Sequence, residues 1–301
     1  MFAGEVPRFF CYMESKDDLS VREVLIYMKE KLERAGVEDS GEDAYQLLCL
    51  VRNFSKSDLI LKGDEILTEE ERVKLFALLQ DRLRRIPLQH ITGKAYFYGR
   101  EFKVNGNVLI PRQDTEILVE EVIKHLKGEE HVLDMCTGSG CILIACDIGE
   151  KGKNKNFSSG VGSDISDKAL ALARENAKNL GADNLKFVKG DLFENIEGTF
   201  DIIVSNPPYI ERGRIGELEP EVRDFDPLNA LDGGEDGLDF YRRIIKRVPA
   251  FLKKGGMLFF EIGYDQAKAV TGLLLDEGFS EIEVIKDYGG NDRVVKAVLH
   301  K

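Results

Sequence analysis

The chain has 301 residues, of which 43% are hydrophobic and 32% are charged, and its formal net charge is −12. A chain of this length and composition can bury a large core, and we expect a two-domain intracellular enzyme. The acidic balance argues against a large nucleic-acid-binding surface. No apolar run approaches the roughly 18 residues of a membrane-spanning helix, so no membrane association is expected.

The N-terminal residues and the cysteines exclude two further classes. The stretch before Ser20 is acidic and lacks the apolar core of a signal peptide, so we expect a loose extension over residues 1–19. No Cys-x-x-Cys pair or neighbouring histidine supports a metal site, and an odd number of cysteines with apolar neighbours indicates reduced thiols. The five cysteines are Cys11, Cys49, Cys136, Cys141 and Cys146.

Residues 20–90 are predicted to form a small helical domain. Two Ser/Thr-x-x-Glu patterns have the spacing of a helix-capping box, and a glycine is placed to end the first helix. A further apolar stripe of helical spacing lies between these helices. No catalytic constellation appears in this region, so we interpret it as a packed bundle that docks a partner. The features used are Ser20 with Glu23, Gly36, the stripe Ala44–Val51, Thr68 with Glu71, and Pro87 as the end of the helices.

Residues 91–113 are predicted to link the two domains. The aromatic run Tyr96–Tyr98 and the stretch Phe102–Val104 have the character of two strands. A turn between them is expected at Gly99–Arg100, which makes the pair a hairpin. A short strand is also expected at Val108–Ile110.

From residue 114 to residue 301, predicted strands alternate with predicted helices. This alternation is typical of a parallel sheet with helices on both faces. The polar stretch Lys151–Gly160 is expected to be a mobile insertion. The predicted helices are Thr115–Leu126, Gly138–Ile148, Asp167–Leu180, Leu238–Leu252 and Gln266–Glu277. The predicted strands are His131–Asp134, Val161–Asp164, Leu185–Lys189, Asp201–Ser205, Met257–Ile262, Ile282–Lys286 and Val294–Leu299.

A glycine-rich turn follows the first strand of this sheet, between Leu133 and Gly140. Glycine lets a ligand approach the backbone closely. The dinucleotide-binding pattern Gly-x-Gly-x-x-Gly fails because its third glycine would fall at Leu143. The stretch is instead similar to the Asp-x-Gly-x-Gly-x-Gly loop of class I methyltransferases, which bind S-adenosylmethionine. Cys136 stands where that pattern has its first glycine, and its Cβ disfavours a positive φ there.

Two acidic residues follow the next two strands in the order that this cofactor requires. Asp164 ends the second strand, where a carboxylate can accept both ribose hydroxyls. Asp191 follows the third strand and can accept from the adenine amino group, with Leu192 against the ring. Either acid alone is more typical of a helix cap or a turn. Their order along the chain favours a cofactor site.

The sequence Asn206-Pro207-Pro208-Tyr209 follows a buried strand, at the edge where open α/β sheets bind ligands. Its prolines make a rigid turn without N–H donors. The Asn206 side-chain oxygen and the Pro207 carbonyl can accept the two hydrogens of a planar –NH2 group, while Tyr209 stacks on its face. The motif resembles that of methyltransferases acting on an amino or amide nitrogen.

Several segments together resemble one family, the peptide chain release factor N5-glutamine methyltransferases of the HemK/PrmC type. The resemblance covers roughly residues 20–301. Gln113 and Asp226 replace the proline and glutamate that are usual in the family. The segments are Pro87–Gly93, Phe97–Gly99, Val108–Arg112, Asp114–Glu116, Thr137–Gly140, Ser205–Ile210, Asp226–Leu231, Gly234–Leu238, Gly255–Gly256 and Asp292–Val295.

The resemblance implies a helical domain, a hairpin linker and a Rossmann-like class I methyltransferase domain whose last strand is antiparallel. It implies methyl transfer from S-adenosylmethionine to the N5 nitrogen of the glutamine in the Gly-Gly-Gln motif of class 1 release factors, in the cytoplasm, with S-adenosylhomocysteine as product. We expect catalysis by Asn206, Pro207 and Tyr209, and substrate binding by these with Pro208. The expected cofactor residues are Asp134, Cys136, Thr137, Gly138, Ser139, Gly140, Asp164, Asp191, Leu192 and Asn206.

Two other functions remain open at this point. An adenine-N6 or guanine-N2 methyltransferase acting on nucleic acid can share Asn-Pro-Pro-Tyr, although the acidic charge and the lack of a basic or zinc-binding recognition domain count against it. A non-catalytic adaptor could bind release factors or ribosomes through the helical domain. The presence of Asn206 and Tyr209 beside a complete cofactor motif counts against an adaptor.

Overall fold

The computed structural model describes residues 18–149 and 157–300. Residues 1–17 of the predicted extension, Cys11 among them, and most of the predicted insertion at Lys151–Gly160 lie outside the described residues. The predicted end of the extension at residue 19 is wrong, because Leu19 is buried in the core of the helices. The chain divides into two compact units, with the boundary between Thr92 and Gly93. Among the described helices, none is long and apolar enough to cross a membrane.

The first unit is helical, as predicted. Both predicted capping boxes are present, at Ser20 with Glu23 and at Thr68 with Glu71. Gly36 follows the first helix with a φ of 77°, a conformation that suits glycine at a helix end. The helices are α1 (Val21–Arg34), α2 (Ser40–Arg52), α3 (Lys56–Leu61), α4 (Glu69–Leu83) and α5 (Leu88–Thr92).

Two short helices of this unit, α3 and α5, are absent from the prediction. Helix α3 begins with a capping box of Ser55 and Asp58, but it buries none of its six residues, so it leaves no apolar periodicity to detect. Helix α5 begins immediately after Pro87, where the prediction ended the helical region. Proline fits the first turn of a helix because the N–H that it lacks would be unsatisfied there.

The second unit starts with the predicted hairpin, formed by β1 (Lys94–Phe97) and β2 (Arg100–Lys103). The predicted turn at Gly99–Arg100 is wrong by one residue, since Phe97 pairs with Arg100 and the turn lies at Tyr98–Gly99. Both turn residues have positive φ, 49° and 69°, as the tight turns of two-residue hairpins require. The predicted strand at Val108–Ile110 is also wrong, because this segment pairs with no strand and borders the cavity described below.

A seven-stranded sheet forms the centre of the second unit, in the order β5-β4-β3-β6-β7-β9-β8. The first five of these strands run parallel, and β9, the last in the chain, is antiparallel to both of its neighbours, as expected. The strands are β3 (His131–Met135), β4 (Ser159–Asp164), β5 (Leu185–Lys189), β6 (Phe200–Ser205), β7 (Leu252–Glu261), β8 (Phe279–Lys286) and β9 (Asp292–Leu299). The helices are α6 (Thr115–His125), α7 (Cys141–Ile148), α8 (Asp167–Leu180), α9 (Pro220–Arg223), α10 (Leu228–Leu231), α11 (Asp239–Arg247) and α12 (Ala267–Asp276), with 3-10 helices at Arg212–Glu217 and Val248–Ala250.

The largest boundary error concerns the predicted helix Leu238–Leu252. Helix α11 ends at Arg247, and a 3-10 turn containing Pro249 follows, because proline cannot donate the next helical hydrogen bond. Leu252 instead pairs with Phe200 at the start of β7, five residues before the predicted strand. The register shift between β6 and β7 then accommodates the extra residues up to Met257.

Adjacent residues of the central strands pack into opposite layers. Val132 and Ile202 belong to a cluster with helices α6, α7 and α8, whereas Leu133 and Ile203 belong to a cluster with α11 and α12. All four side chains are buried. Burying such a side chain contributes about 1.5–3 kcal/mol, so this two-sided burial holds the carboxyl ends of the strands in fixed positions.

Candidate active site

A cavity of about 230 Å³ lies at the carboxyl ends of β3, β4, β5 and β6. This edge is where parallel sheets with helices on both faces bind ligands. The predicted site residues that border the cavity are Cys136, Thr137, Gly138, Ser139, Asp164, Asp191, Leu192, Asn206 and Pro208. The predicted residues that do not border it are Asp134, Gly140, Pro207 and Tyr209.

The glycine-rich loop turns through three left-handed residues, Cys136, Gly138 and Gly140, with φ of 59°, 54° and 80°. The expectation for Cys136 is wrong: it adopts the positive φ that its Cβ disfavours, at a cost of about 1–2 kcal/mol. A Cβ on Gly138 would meet no atom within 4 Å, so the backbone there is open to the cavity. A Cβ on Gly140 would lie 3.0 Å from Ile144 Cδ1, so this glycine is needed for packing.

Asp134 lies under this loop and is fully buried. The Thr137 hydroxyl donates a hydrogen bond of 2.5 Å to Asp134 Oδ2. Burial raises the pKa of Asp134 to about 7, even though Thr137 and the Leu143 N–H favour the ionised form. The Asp134 side chain therefore stabilises the loop through its hydrogen bond with Thr137 and does not border the cavity.

Asp164 is held by two backbone N–H groups, one on each carboxylate oxygen. Gly138 N donates to Oδ2 and Ser166 N donates to Oδ1, both at 2.9 Å. Burial raises the pKa of Asp164, and these backbone donors act against the rise. Each oxygen of a carboxylate can accept more than one hydrogen bond, so both can still receive a ligand hydroxyl.

Asp191 pairs with a residue that the sequence analysis did not select. Arg243 in α11 donates to Asp191 Oδ2 at 2.5 Å, and its guanidinium carbon lies 5.7 Å from the centre of the Phe240 ring. Arg243 and Phe240 both border the cavity. They are about fifty residues distant from Asp191 in sequence, and no motif marks them.

A glycine-containing segment fixes the backbone of the Asn-Pro-Pro-Tyr turn. A Cβ on Gly233 would lie 2.7 Å from Tyr209 Cα, and one on Gly237 would lie 2.4 Å from the Tyr209 carbonyl oxygen. The same carbonyl accepts from Gln266 Nε2 at 2.9 Å. The Gly234–Leu238 segment noted in the sequence therefore lies directly against the turn.

The side chains of the turn point to different partners. Asn206 Nδ2 donates to the Thr115 hydroxyl at 3.4 Å, and both residues border the cavity. The Tyr209 hydroxyl donates to Glu261 Oε1 at 3.4 Å. Burial raises the pKa of Tyr209, so the phenol stays neutral and remains a donor.

Glu261 belongs to a buried polar network that the sequence analysis missed. Its side chain is 2% exposed, and burial raises its pKa to about 7. Arg293, which opposes that rise, forms ion pairs with Asp114 and Asp287, each at 3.1 Å. Two features of the sequence could have pointed to this network: a glutamate at the end of an apolar strand, and an arginine within the segment Asp292–Val295.

Arg112 and Asp226 join two loops at the cavity. Arg112 borders the cavity and its Nη2 lies 2.8 Å from Asp226 Oδ2, whose side chain is fully buried. Burial raises the pKa of Asp226, and the Arg112 charge acts against the rise. Asp226 therefore joins its loop to the loop of Arg112 by an ion pair.

Comparison with known proteins identifies the family. Residues 23–93 match the model of the PrmC N-terminal domain, and residues 112–217 match the methyltransferase small domain. The release factor glutamine methyltransferase of Agrobacterium fabrum is 39% identical over 94% of this chain and 99% of its own length. The protein of the same name from Thermodesulfovibrio yellowstonii is 43% identical over 84% of this chain and 90% of its own length.

A solved structure shares the fold. A methyltransferase from Pyrococcus furiosus aligns over 68% of this chain and 91% of its own, with a TM-score of 0.52 and 19% identity. The fold, the methyltransferase domain and the full-length relatives agree with one another. This chain is a methyltransferase and belongs to the release factor glutamine methyltransferase family.

Proposed function

We propose that the enzyme transfers a methyl group from S-adenosylmethionine to the side-chain amide nitrogen of the glutamine in the Gly-Gly-Gln motif of class 1 release factors. The names of the relatives support a release factor glutamine as the acceptor. The observation that carries the proposal is the placement of Asn206 and Pro208 on the same cavity as the glycine-rich loop and Asp164. That placement supports an amide-binding role for the turn, beside the edge where the nucleoside would bind.

The residues of the cavity fit S-adenosylmethionine. The backbone of Gly138 is open to the cavity. Each Asp164 oxygen accepts one backbone hydrogen bond and can accept a second from a ribose hydroxyl. Asp191 borders the part of the cavity where adenine is expected. When bound, this cofactor supplies an electrophilic methyl group. Its nucleoside would be held by Asp164, Asp191 and Leu192. The loop from Cys136 to Gly140 would surround the rest of the cofactor molecule.

The acceptor turn would activate the glutamine amide by orientation. An amide nitrogen is a poor nucleophile because its lone pair is delocalised into the carbonyl. Acceptors at Asn206 Oδ1 and the Pro207 carbonyl would fix both N–H bonds and favour a pyramidal nitrogen in the transition state. Tyr209 would pack on the amide plane, with its hydroxyl anchored on Glu261.

Proton removal does not need to precede the transfer. A methylated amide nitrogen is strongly acidic, so it can release its proton to solvent afterwards. This order of events is consistent with the composition of the Asn206–Tyr209 turn, which contains no histidine, lysine or carboxylate. The enzyme's own contribution is the positioning of the amide.

The helical unit is the proposed docking site for the body of the release factor. Ile60 and Leu61 are consecutive residues in α3 and each is 80% exposed, which is unusual for large apolar side chains. Replacing both with serine should raise the KM for intact release factor by about fivefold, close to 1 kcal/mol, and leave the KM for cofactor unchanged. Leu275→Ser in α12, at another exposed leucine, is the matched control.

The acceptor class can be tested with a labelled methyl donor. Three acceptors would be offered in parallel: a class 1 release factor, the same factor with its Gly-Gly-Gln glutamine replaced by alanine, and RNA. The proposal predicts label on the first acceptor alone. Label on RNA would favour the nucleic-acid methyltransferase, and label on none of the three acceptors would favour the adaptor. Since translation termination is cytoplasmic, the proposal also places the enzyme there.

A further inference from the structure

An open groove of about 880 Å³ adjoins the cavity of the active site. It is lined by residues of α10 and α11 and by Arg212. Four residues border both the groove and the cavity, namely Pro227, Asn229, Phe240 and Arg243. Since the cofactor and the glutamine side chain are both assigned to the cavity, the groove is available to another part of the substrate.

One wall of the groove is hydrogen-bonded to the backbone that follows the acceptor turn. Ile210 comes directly after Asn-Pro-Pro-Tyr, and its N–H donates to the Leu231 carbonyl at 3.0 Å. The Ile210 carbonyl accepts from the N–H of Gly233 at 2.8 Å. The neighbours of Gly233 in sequence, Asp232 and Gly234, border the groove. The acceptor turn and the groove are therefore held together by one stretch of paired backbone.

A glutamine within a polypeptide brings its main chain to the enzyme surface. Only the side chain enters the cavity, and the flanking chain extends by about 3.3–3.6 Å per residue when it is fully extended. Each of its residues other than proline carries one N–H donor and one C=O acceptor that need partners. The glycines of a Gly-Gly-Gln segment have no side chains, so an enzyme can recognise them only through shape and through these main-chain groups.

Asn229 has the groups that main-chain recognition requires. Its side chain is exposed, and its amide offers one acceptor and two donors. None of the described residues hydrogen-bonds this amide. The helix that carries it, α10, is fixed at both ends: Asp226 pairs with Arg112 at 2.8 Å on one side, and the Leu231 carbonyl is bonded to Ile210 on the other. Asn229 is therefore held in place before a substrate arrives.

The arginines of the groove are already paired. Arg212 lies 2.9 Å from a carboxylate oxygen of Asp232, and Arg242 lies 2.5 Å from one of Asp236. Arg243 is paired with the aspartate on the adenine side of the cavity, as described above. Binding of a nucleic-acid backbone depends on cations that neutralise its phosphates. A groove with compensated charges suits an uncharged polypeptide main chain better.

We propose that this groove binds the main chain next to the methylated glutamine, and that Asn229 is the residue that hydrogen-bonds it. The inference rests on the proposed function, because it takes the Gly-Gly-Gln segment as the occupant. It adds a second determinant of specificity. The helical unit would hold the body of the release factor, and the groove would hold the chain beside the reacting amide.

Two variants of Asn229 test the hydrogen bonds. Asn229→Ala removes the donors and the acceptor, whereas Asn229→Asp keeps the shape and removes the donors. Each should raise the KM for intact release factor by about fivefold or more, with kcat changed by less than about twofold and with unchanged affinity for S-adenosylmethionine. A role in packing alone would leave Asn229→Asp at the native KM. Asn179→Ala, at an exposed asparagine in α8 that borders neither space, is the matched control.

A short peptide that carries Gly-Gly-Gln separates the groove from the helical unit. Asn229→Ala should raise the KM for this peptide by about the same factor as for the intact factor. Replacing Ile60 and Leu61 with serine should raise the KM for the intact factor alone. If the native enzyme does not methylate the peptide, the KM values for the intact factor decide.

Two results would overturn the inference. One is a native KM for the intact factor in both Asn229 variants. The other is weaker binding of S-adenosylmethionine by Asn229→Ala with an unchanged KM for the factor, which would assign Asn229 to the cofactor. The proposed function fails separately, if the native enzyme leaves the Gly-Gly-Gln glutamine of the intact factor unmodified.

Discussion

On the cofactor side of the cavity, the Asp164 carboxylate is fixed by backbone N–H groups and not by side chains. Asp164 accepts from the backbone of Ser166 and from the glycine-rich loop at Gly138. On the acceptor side, Asn206 and Tyr209 rely on side chains from α6 and β7, which are 91 and 52 residues away in sequence. The Asp164 site is therefore formed by the backbone of two loops, whereas the acceptor side depends on side chains that tertiary packing brings together.

We expect the two sides of the cavity to have different roles, and substitutions can test this. Changes on the cofactor side should alter binding of S-adenosylmethionine, and changes on the acceptor side should alter the transfer rate. A substitution that alters both quantities equally would break the distinction between the two sides.

The largest expected effect belongs to the acceptor side. Asn206→Ala should lower the single-turnover rate by ~100-fold or more, by analogy with the loss of one preorganised transition-state contact. Cofactor affinity should stay within about threefold of the native value, since Asn206 is expected to act mainly on the acceptor. Asn184→Ala, which removes an asparagine that donates to Asp147 away from the cavity, is the control. A near-native rate for Asn206→Ala would mean that the motif is only a turn.

On the cofactor side, Asp164→Ala should weaken S-adenosylmethionine binding by roughly ten- to a hundredfold. A hydrogen bond to a charged acceptor contributes about 1.5–3 kcal/mol, and this substitution also releases the N–H of Gly138. Calorimetric titration measures the change. Asp167→Ala is the matched control because Asp167 is exposed and pairs with Lys189 outside the cavity. Equal affinities for the two variants would remove Asp164 from the binding site.

A smaller effect should follow from Arg243→Ala. The Asp191–Arg243 pair is half exposed, so its loss costs about 1 kcal/mol or less and should weaken cofactor binding by about two- to fivefold. Asp191→Ala should have the larger effect, because it removes the proposed adenine acceptor itself. If Arg243→Ala weakens binding more than Asp191→Ala does, then Arg243 contacts the cofactor directly and the assignment must change.

The smallest effect concerns the strain in the glycine-rich loop. Cys136→Ala and Cys136→Gly both remove the thiol, but glycine adopts the φ of 59° at that position without a Cβ penalty. Cys136→Gly should therefore be more stable than Cys136→Ala by about 1 kcal/mol, the reverse of the usual order. Urea denaturation of the two variants measures the difference. A more stable Cys136→Ala would mean that the loop relaxes out of the left-handed conformation.

Features that depend on local sequence were predictable. The capping boxes at Ser20 and Thr68, the parallel strands and the antiparallel last strand follow from residue spacing or from family motifs, and the structure has them. Several short helices and the first five residues of β7 were missed, because four- to six-residue helices lack periodicity and the β6–β7 pairing is set by tertiary contacts.

The same distinction between local sequence motifs and tertiary contacts applies to the residues of the site. The residues that border the cavity come largely from motifs that can be read in sequence, such as Thr137 and Gly138 of the loop, Asp164 and Asn206. Arg243 and Glu261 could not be assigned, since an arginine on an amphipathic helix and a glutamate after a strand have many ordinary uses. Only the fold brings them to the cofactor wall and to the acceptor turn.

The proposed function requires that this enzyme methylates one glutamine side chain in a release factor. Mass spectrometry of the release factor after incubation with the enzyme and S-adenosylmethionine tests it most directly. The account predicts the mass of one added methyl group on the peptide that carries Gly-Gly-Gln, with fragmentation placing it on the glutamine side-chain nitrogen. A methyl group on another residue, or an unmodified Gly-Gly-Gln peptide under conditions in which the enzyme binds its cofactor, would contradict the account.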